Sequence, residues 1–400
     1  MNKEKTAKRY RRIYRFFRPA LKLFLRIVLN YRCRTERVPE GPLFIVSNHT
    51  SVYDALFVAA AFKEPVYFVG GEHLWRMGKI LRWFLDRYGA VIQRVKAATD
   101  ASSASGILRA LRDGKNVCLY PEGNTSFTGG MMPFHPTTAR LIKAAKGATL
   151  VTFRVTGGYF STPRWSSGRR RGYLSGAVTA VYPPETVDSL STDEIESILM
   201  RDIAVDAYAL QRENPRPYRG KRLAEYLETA LYLCPRCMKI GLLHSRGDEF
   251  YCECGLHATL DAYGEFHGDD LPFRNPQEWD NWQEAQIKDL AGRYSAKPYF
   301  SDPDQTLWEQ HPDHSERIIS SGEMSMSSER FSLGKAIFGI KEITGMDLSL
   351  KDRLHFVAGS RRYTVATEHL RSGRKYVTMF KYLKERACTG ASENNMAAIP

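Results

Sequence analysis

Five short apolar runs alternate with helical patterns between residues 43 and 155, and no other feature restricts the fold of this chain as tightly. The runs are 43–47, 66–69, 90–93, 116–120 and 148–155. Continuous apolar runs of this length read as strands buried on both faces. Helical patterns over 51–63, 76–88, 101–113 and 137–146 separate them, and Gly89, Gly114 and Gly147 each stand where a helix should stop. Such alternation predicts an α/β layered domain with a largely parallel sheet. In sheets of this kind ligands collect beyond the carboxyl ends of the strands. Two chemically rich loops belong there: 48–54, reading NHTSVYD, and 121–124, reading PEGN. Both should face one cleft.

Within the first loop His49 and Asp54 are the candidates for catalysis. An alcohol attacks a thioester poorly unless a base takes its proton, and imidazole titrates in the useful range. A carboxylate on the other ring nitrogen fixes the tautomer and stabilises the imidazolium. Five residues apart, the two side chains diverge by roughly 140° on an ideal helix. They meet only if His49 lies in the turn and Asp54 in the first helical turn. The bland alternative is a capping box, with Asp54 answering the Ser51 backbone N–H.

These motifs resemble those of the 1-acylglycerol-3-phosphate acyltransferase family. Its members carry an Asn-His-x4-Asp box, a glycine with an arginine just beyond it, and a Phe-Pro-Glu-Gly box. Here NHTSVYD, then Gly89 to Arg94, then YPEGN follow in that order across residues 40–185. The resemblance implies direct acyl transfer from coenzyme A or acyl carrier protein to a lysophospholipid hydroxyl. His49 and Asp54 are then catalytic, while Arg94, Glu122, Gly123 and Asn124 bind substrate. The chain departs from the pattern at Thr125, where the family usually has arginine, and in 151–154 (VTFR), where a proline is usual. Threonine cannot replace a bidentate arginine–phosphate contact, so the acceptor's identity stays open. Arg154 and the run Arg169 to Arg171 are the alternatives for that contact.

The net charge of +14 is concentrated at one end, since residues 1–40 hold 13 Lys or Arg against 3 Glu. Arg11, Arg15, Arg18, Lys22 and Arg26 fall within about 80° of a helical wheel. Phe17, Leu21, Phe24 and Val28 project elsewhere, with Phe16, Leu23 and Ile27 widening the apolar face. The pattern is similar to helices that lie in a bilayer interface with basic residues toward lipid phosphates. Pro19 predicts a kink or two shorter helices. No run approaches the roughly 20 apolar residues of a membrane span. No signal peptide is evident, and the expected place is peripheral, on the cytoplasmic face of the cell membrane.

Of seven cysteines, four crowd into 21 positions: Cys234, Cys237, Cys252 and Cys254. Two knuckles fourteen residues apart read as a structural zinc ribbon. The second knuckle is one residue short of the usual spacing, so His257 is an alternative to Cys252 as fourth ligand. A disulfide pair is the other alternative.

The expected division is a basic membrane-binding segment (1–40), an acyltransferase-like α/β domain (41–220), a helical connector (221–232), the ribbon (233–267) and an α+β region (268–400). Helices are expected over 191–212 and 221–233, with another beginning at Asn275. Strand-like stretches at 323–327, 330–333, 342–347, 354–357 and 361–366, then a helix over 371–386, look like a pleckstrin-homology-type or similar small barrel. Two other functional classes compete with the enzyme. One is a nucleic-acid-binding protein using the basic tail and ribbon, and the other is a lipid-binding relative without activity. The first is disfavoured because the basic excess sits on an amphipathic helix.

Overall fold

The apolar runs form five consecutive strands of a seven-stranded sheet, out to one of its edges. The computed structural model describes residues 3–71, 78–79, 82–83, 87, 91–94, 101–311, 315–367 and 371–396. The chain divides into two units, a first built from residues 1–95, 100–164 and 168–221 and a second mainly from residue 222 onward.

In the first unit α1 (Lys3–Leu29) leads into β1 (Tyr31–Cys33), β2 (Leu43–Ser47), α2 (Asp54–Ala61), β3 (Val66–Gly71) and β4 (Val91–Arg94). Then come α3 (Ala101–Arg112), β5 (Asn116–Leu119), α4 (Thr138–Ala144), β6 (Thr149–Thr156) and the single turn α5 (Gly158–Ser161). The unit closes with β7 (Leu174–Tyr182), α6 (Pro184–Ser189), α7 (Thr192–Ile203) and α8 (Ala207–Glu213). The sheet order is β1-β7-β6-β2-β5-β3-β4. All neighbours are parallel except β6 and β7, which the sequence pattern had not revealed as a hairpin-like pair. Most of the expected helix over 76–88, with Gly89, lies outside the described residues.

Alternate residues of the central strands feed two cores. Phe44, Val46, Val117 and Leu150 pack with Ile142 of α4 and Ile195, Leu199 and Ile203 of α7. Leu43, Ile45, Val151, Phe153 and Val155 pack with Phe57 and Val58 of α2 and with Leu25 and Leu29 of α1. The period of two along each strand thus sorts side chains to opposite faces.

Helix α1 runs unbroken through Pro19 rather than splitting. A proline inside a helix costs about 3 kcal/mol. Tyr14 before it and Leu21 and Leu25 after it all pack on the body, which holds the two halves in line. The basic stripe is exposed at Arg11, Arg15 and Arg26, and its first half is also tied to the body. Arg11 and Arg15 both pair with Glu64, and Arg18 donates to the Ala60 carbonyl at the end of α2 (3.1 Å). Leu21 and Val28 likewise turn inward. Beside these cations α1 exposes a row of large apolar side chains: Phe16 is 77% exposed, Phe17, Leu23 and Ile27 each 59%, and Phe24 48%.

In the second unit the expected helix over 221–233 is absent apart from one 3-10 turn, Leu227–Thr229. Some backbone N–H groups there go to side chains, Leu223 to Asp248 and Tyr226 to Ser245, and Ala224 donates to the distant Gly247 carbonyl. Thr229, Ala230, Leu231, Tyr232, Leu233 and Cys234 are buried in unbroken succession, which one helical stripe could not achieve. Strands β8 (Leu243–Arg246), β9 (Glu249–Cys252), β10 (His257–Leu260) and β11 (Phe266–His267) form an antiparallel meander. Helix α9 (Pro276–Gly292) follows, capped by Asn275. Seven antiparallel strands come next: β12 (Phe300–Gln310), β13 (Glu316–Met326), β14 (Arg330–Leu333), β15 (Ala336–Gly339), β16 (Ile343–Ser349), β17 (Arg353–Ala358) and β18 (Arg361–Ala366). Their order is β15-β14-β13-β12-β18-β17-β16, and α10 (Arg374–Met396) closes the unit.

Candidate active site and metal centre

The turn 48–53 leaves the carboxyl end of β2, and side chains rather than backbone ladders shape it. Asn48 continues the sheet by proxy: its amide accepts from the Val155 N–H and donates to the Val155 carbonyl, both at 2.8 Å. This clamp fixes where His49 emerges. His49 Nδ1 lies 2.8 Å from Asp54 Oδ2. The same oxygen accepts the N–H groups of Thr50 (2.6 Å) and Ser51 (2.9 Å). Asp54 is fully buried, whereas the His49 side chain keeps 24% exposure. With Nδ1 engaged, Nε2 is the ring nitrogen left for a substrate. The imidazole also stacks on Tyr120, centroids 4.5 Å apart at 21°.

The capping-box alternative is half realised. Asp54 does answer the Ser51 N–H, but the Ser51 hydroxyl accepts from Tyr53 N and pairs with Thr162 at 2.6 Å. Gly158 makes this crowding possible, because a Cβ there would stand 2.1 Å from the Thr50 hydroxyl.

The 121–124 loop meets the same turn. Glu122 Oε1 accepts the His49 backbone N–H at 2.7 Å and Oε2 accepts that of Met132 at 3.2 Å. Burial pushes the Glu122 carboxyl up to about 8, against the opposing pull of those two N–H groups and with a small further push from Asp54. Gly123 turns the loop in the left-handed region, φ 69°. Asn124 is half-buried beside it. Ser126 N–H donates to the His49 carbonyl (3.3 Å), tying the loop to the His49 turn a second time. The structure therefore brings His49, Asp54 and Glu122 together. Arg94 ends β4 opposite Gly71, and its side chain lies outside the described residues.

Thr125 is buried, and its carbonyl accepts from Arg164 (3.2 Å), whose guanidinium lies 4.1 Å over the Phe127 ring. Sequence reasoning missed Arg164, along with Asn48 and Tyr120. Of the basic run weighed for a phosphate contact, Arg170 is buried and Arg171 donates to the Ile27 carbonyl near the end of α1 (2.8 Å). Those two side chains are committed to the fold.

Residues 30–156 match the family model described as Acyltransferase. That span holds every residue of the His49–Asp54–Glu122 constellation. The chain is also similar to the crystal structure of the 1-acyl-sn-glycerophosphate (LPA) acyltransferase, PlsC, from Thermotoga maritima. Identity is 16%, covering 50% of this chain and 81% of that one, at a TM-score of 0.41.

In the second unit Cys234, Cys237, Cys252 and Cys254 converge, with all four sulfurs within 4.8 Å of one another. Cys234 Sγ is 3.7 Å from Cys254 Sγ, and Cys237 Sγ is 3.8 Å from Cys252 Sγ. A tetrahedron with zinc–sulfur bonds of about 2.3 Å has edges of about 3.8 Å, so the donor set fits zinc. Backbone N–H groups reach the sulfurs, those of Arg236 and Cys237 to Cys234 and that of Leu256 to Cys254. Such bonds favour thiolate, and the Leu256 N–H draws Cys254 down to about 7. His257 is exposed on β10 and stands outside the cluster, so Cys252 fits as the fourth ligand.

Proposed function

We propose that this chain moves an acyl group from a thioester of coenzyme A or acyl carrier protein onto the hydroxyl of a lysophospholipid. The observation that carries this reading is the 2.8 Å contact from His49 Nδ1 to a buried Asp54 beneath a partly exposed imidazole. Asp54 holds the tautomer with the proton on Nδ1, which makes Nε2 the base. Nε2 takes the acceptor's hydroxyl proton as the oxygen attacks the thioester carbonyl carbon. The tetrahedral intermediate then collapses, the carbon–sulfur bond breaks, and the imidazolium returns its proton to the departing thiolate. No covalent enzyme intermediate is needed. Glu122 holds the His49 backbone in place, while Gly123, Asn124 and Arg94 are the proposed walls of the acceptor seat. Arg164 adds a cation at the loop where Thr125 offers none.

Delivery of a lipid acceptor calls for a surface that reaches the bilayer. The exposed row on α1 supplies large apolar side chains, and Val52 in the catalytic turn is itself 63% exposed. We place the chain peripherally on the cytoplasmic face of an anionic membrane. Among the described residues no helix is long and apolar enough to cross one. Zinc is proposed as a structural ion, since four protein ligands leave no position for substrate. The seven strands and α10 are proposed to be the pleckstrin-homology-type barrel expected from sequence.

The test offers the purified protein labelled acyl-CoA or acyl carrier protein thioester with a panel of lysolipids. Product should form with at least one pair. Absence of transfer to every acceptor, in a protein shown to be folded, would overturn the reading.

A further inference from the structure

A polar cavity of about 490 Å³ lies on the first unit, lined by Arg154, Thr156, Ser175, Thr179, Arg201 and Asp202 among others. It does not belong to the catalytic turn. Thr152 bonds Asp202 of α7 (3.1 Å), so Arg154 and Thr156, which alternate with it on β6, point to the same face. His49 stacks on Tyr120, which packs with Val155 and α2 on the other face. The sheet separates the two places.

The cavity is built for negative charge. Asp202 is buried and engaged on both oxygens, by Arg201 Nε (2.9 Å) on one and by Thr152 and Tyr182 on the other. That engagement cancels one arginine. Arg154 is exposed on its strand, and no described carboxylate pairs with it, so the lining keeps a net positive charge. Thr156 and Ser175 hydroxyls sit 2.8 Å apart and share one hydrogen bond, which leaves one hydroxyl proton to give. Arg201 gives Nε to Asp202 and Nη2 to the Tyr182 hydroxyl, so its Nη1 and the Arg154 guanidinium are the donors offered to a phosphate, in charge-assisted contacts. The volume admits more than inorganic phosphate and falls within the usual range of small-molecule sites.

We infer that this cavity is a second binding site, taking a phosphate monoester through Arg154 and Arg201. The inference stands independently of acyl transfer, because its readout needs no turnover. Full-length protein is treated with phenylglyoxal, alone and with inorganic phosphate, sn-glycerol 3-phosphate, or phosphatidylcholine vesicles with and without phosphatidate. Modified arginines are then mapped by mass spectrometry. Calorimetric titration with sn-glycerol 3-phosphate is run on the wild type, Arg154→Gln and His49→Ala.

Phosphate-bearing probes should protect Arg154 and Arg201, and Arg154→Gln should weaken the titrated affinity about tenfold or more, as expected for loss of a charge-assisted contact. His49→Ala should bind as the wild type does. Protection by the soluble probes assigns a free phosphate ester, and protection only by phosphatidate vesicles assigns a lipid headgroup. Either supports the site. Equal affinity in Arg154→Gln, loss of binding in His49→Ala, or no protection by any probe would overturn it.

Discussion

Asp54 Oδ2 receives three donors, the His49 ring and the N–H groups of Thr50 and Ser51. The carboxylate therefore shapes the turn and orients the base together. Asp54→Asn offers an amide oxygen to some of these donors but aims an NH₂ group at others. Activity should fall by on the order of 10²–10⁴, with a measurable drop in urea midpoint, checked by initial rates beside equilibrium unfolding. Glu122 makes a separate pH prediction. Its carboxyl is raised from 4.5 to about 8 chiefly by burial. The folded state thus keeps a proton that the unfolded state gives up first. Its stabilising contribution is complete below about pH 4.5 and declines as pH climbs to about 8. Urea midpoints between pH 5 and 8 should fall more steeply in the wild type than in Glu122→Gln. Parallel slopes would contradict the assignment. That His49 and Asp54 would meet was readable from their spacing and from their place at a strand end. Asn48, Tyr120 and Arg164 were not, because a clamp on Val155, a ring stack and a loop contact join residues far apart in the chain.

At the scale of elements, the inner strands were readable because parallel strands buried on both faces leave unbroken apolar runs. Strand β7 alternates in burial and β1 spans three residues, so neither leaves such a run. Strand β12, FSDPDQTLWEQ, is largely polar and contains Pro303, which hides it from an apolar search. Helix α1 shows the limit of a helical wheel. The wheel found the basic stripe but could not tell that Glu64 and the Ala60 carbonyl would engage Arg11, Arg15 and Arg18 of it. The proposed membrane contact therefore rests on Phe16, Phe17, Leu23, Phe24 and Ile27. Fully burying such a side chain is worth about 1.5–3 kcal/mol. Phe17→Ser with Phe24→Ser should weaken binding to anionic vesicles at least tenfold in a sedimentation assay, with the thermal midpoint unchanged. Retained binding would remove α1 as the anchor.

Across the whole molecule, the unit that holds the His49 turn precedes a second unit, whose four clustered sulfurs are proposed to hold a structural zinc. A ribbon of this size has too little core to fold without help. Trp279 is buried and donates through Nε1 to the Leu233 carbonyl, one residue before Cys234. Metal analysis should give one zinc per chain. Stripping it with a chelator should shift tryptophan emission to the red as Trp279 loses its cover, and Cys237→Ser should show the same shift without chelator. A metal-free protein with unchanged emission would contradict a structural role.

The most direct test concerns one nitrogen. Initial rates of acyl transfer should be measured for the wild type and His49→Ala with the best thioester and lysolipid pair, both proteins matched in fold by circular dichroism. Removing a general base should lower the rate by on the order of 10²–10⁴. Equal rates would show that the imidazole on Asp54 takes no part in the chemistry.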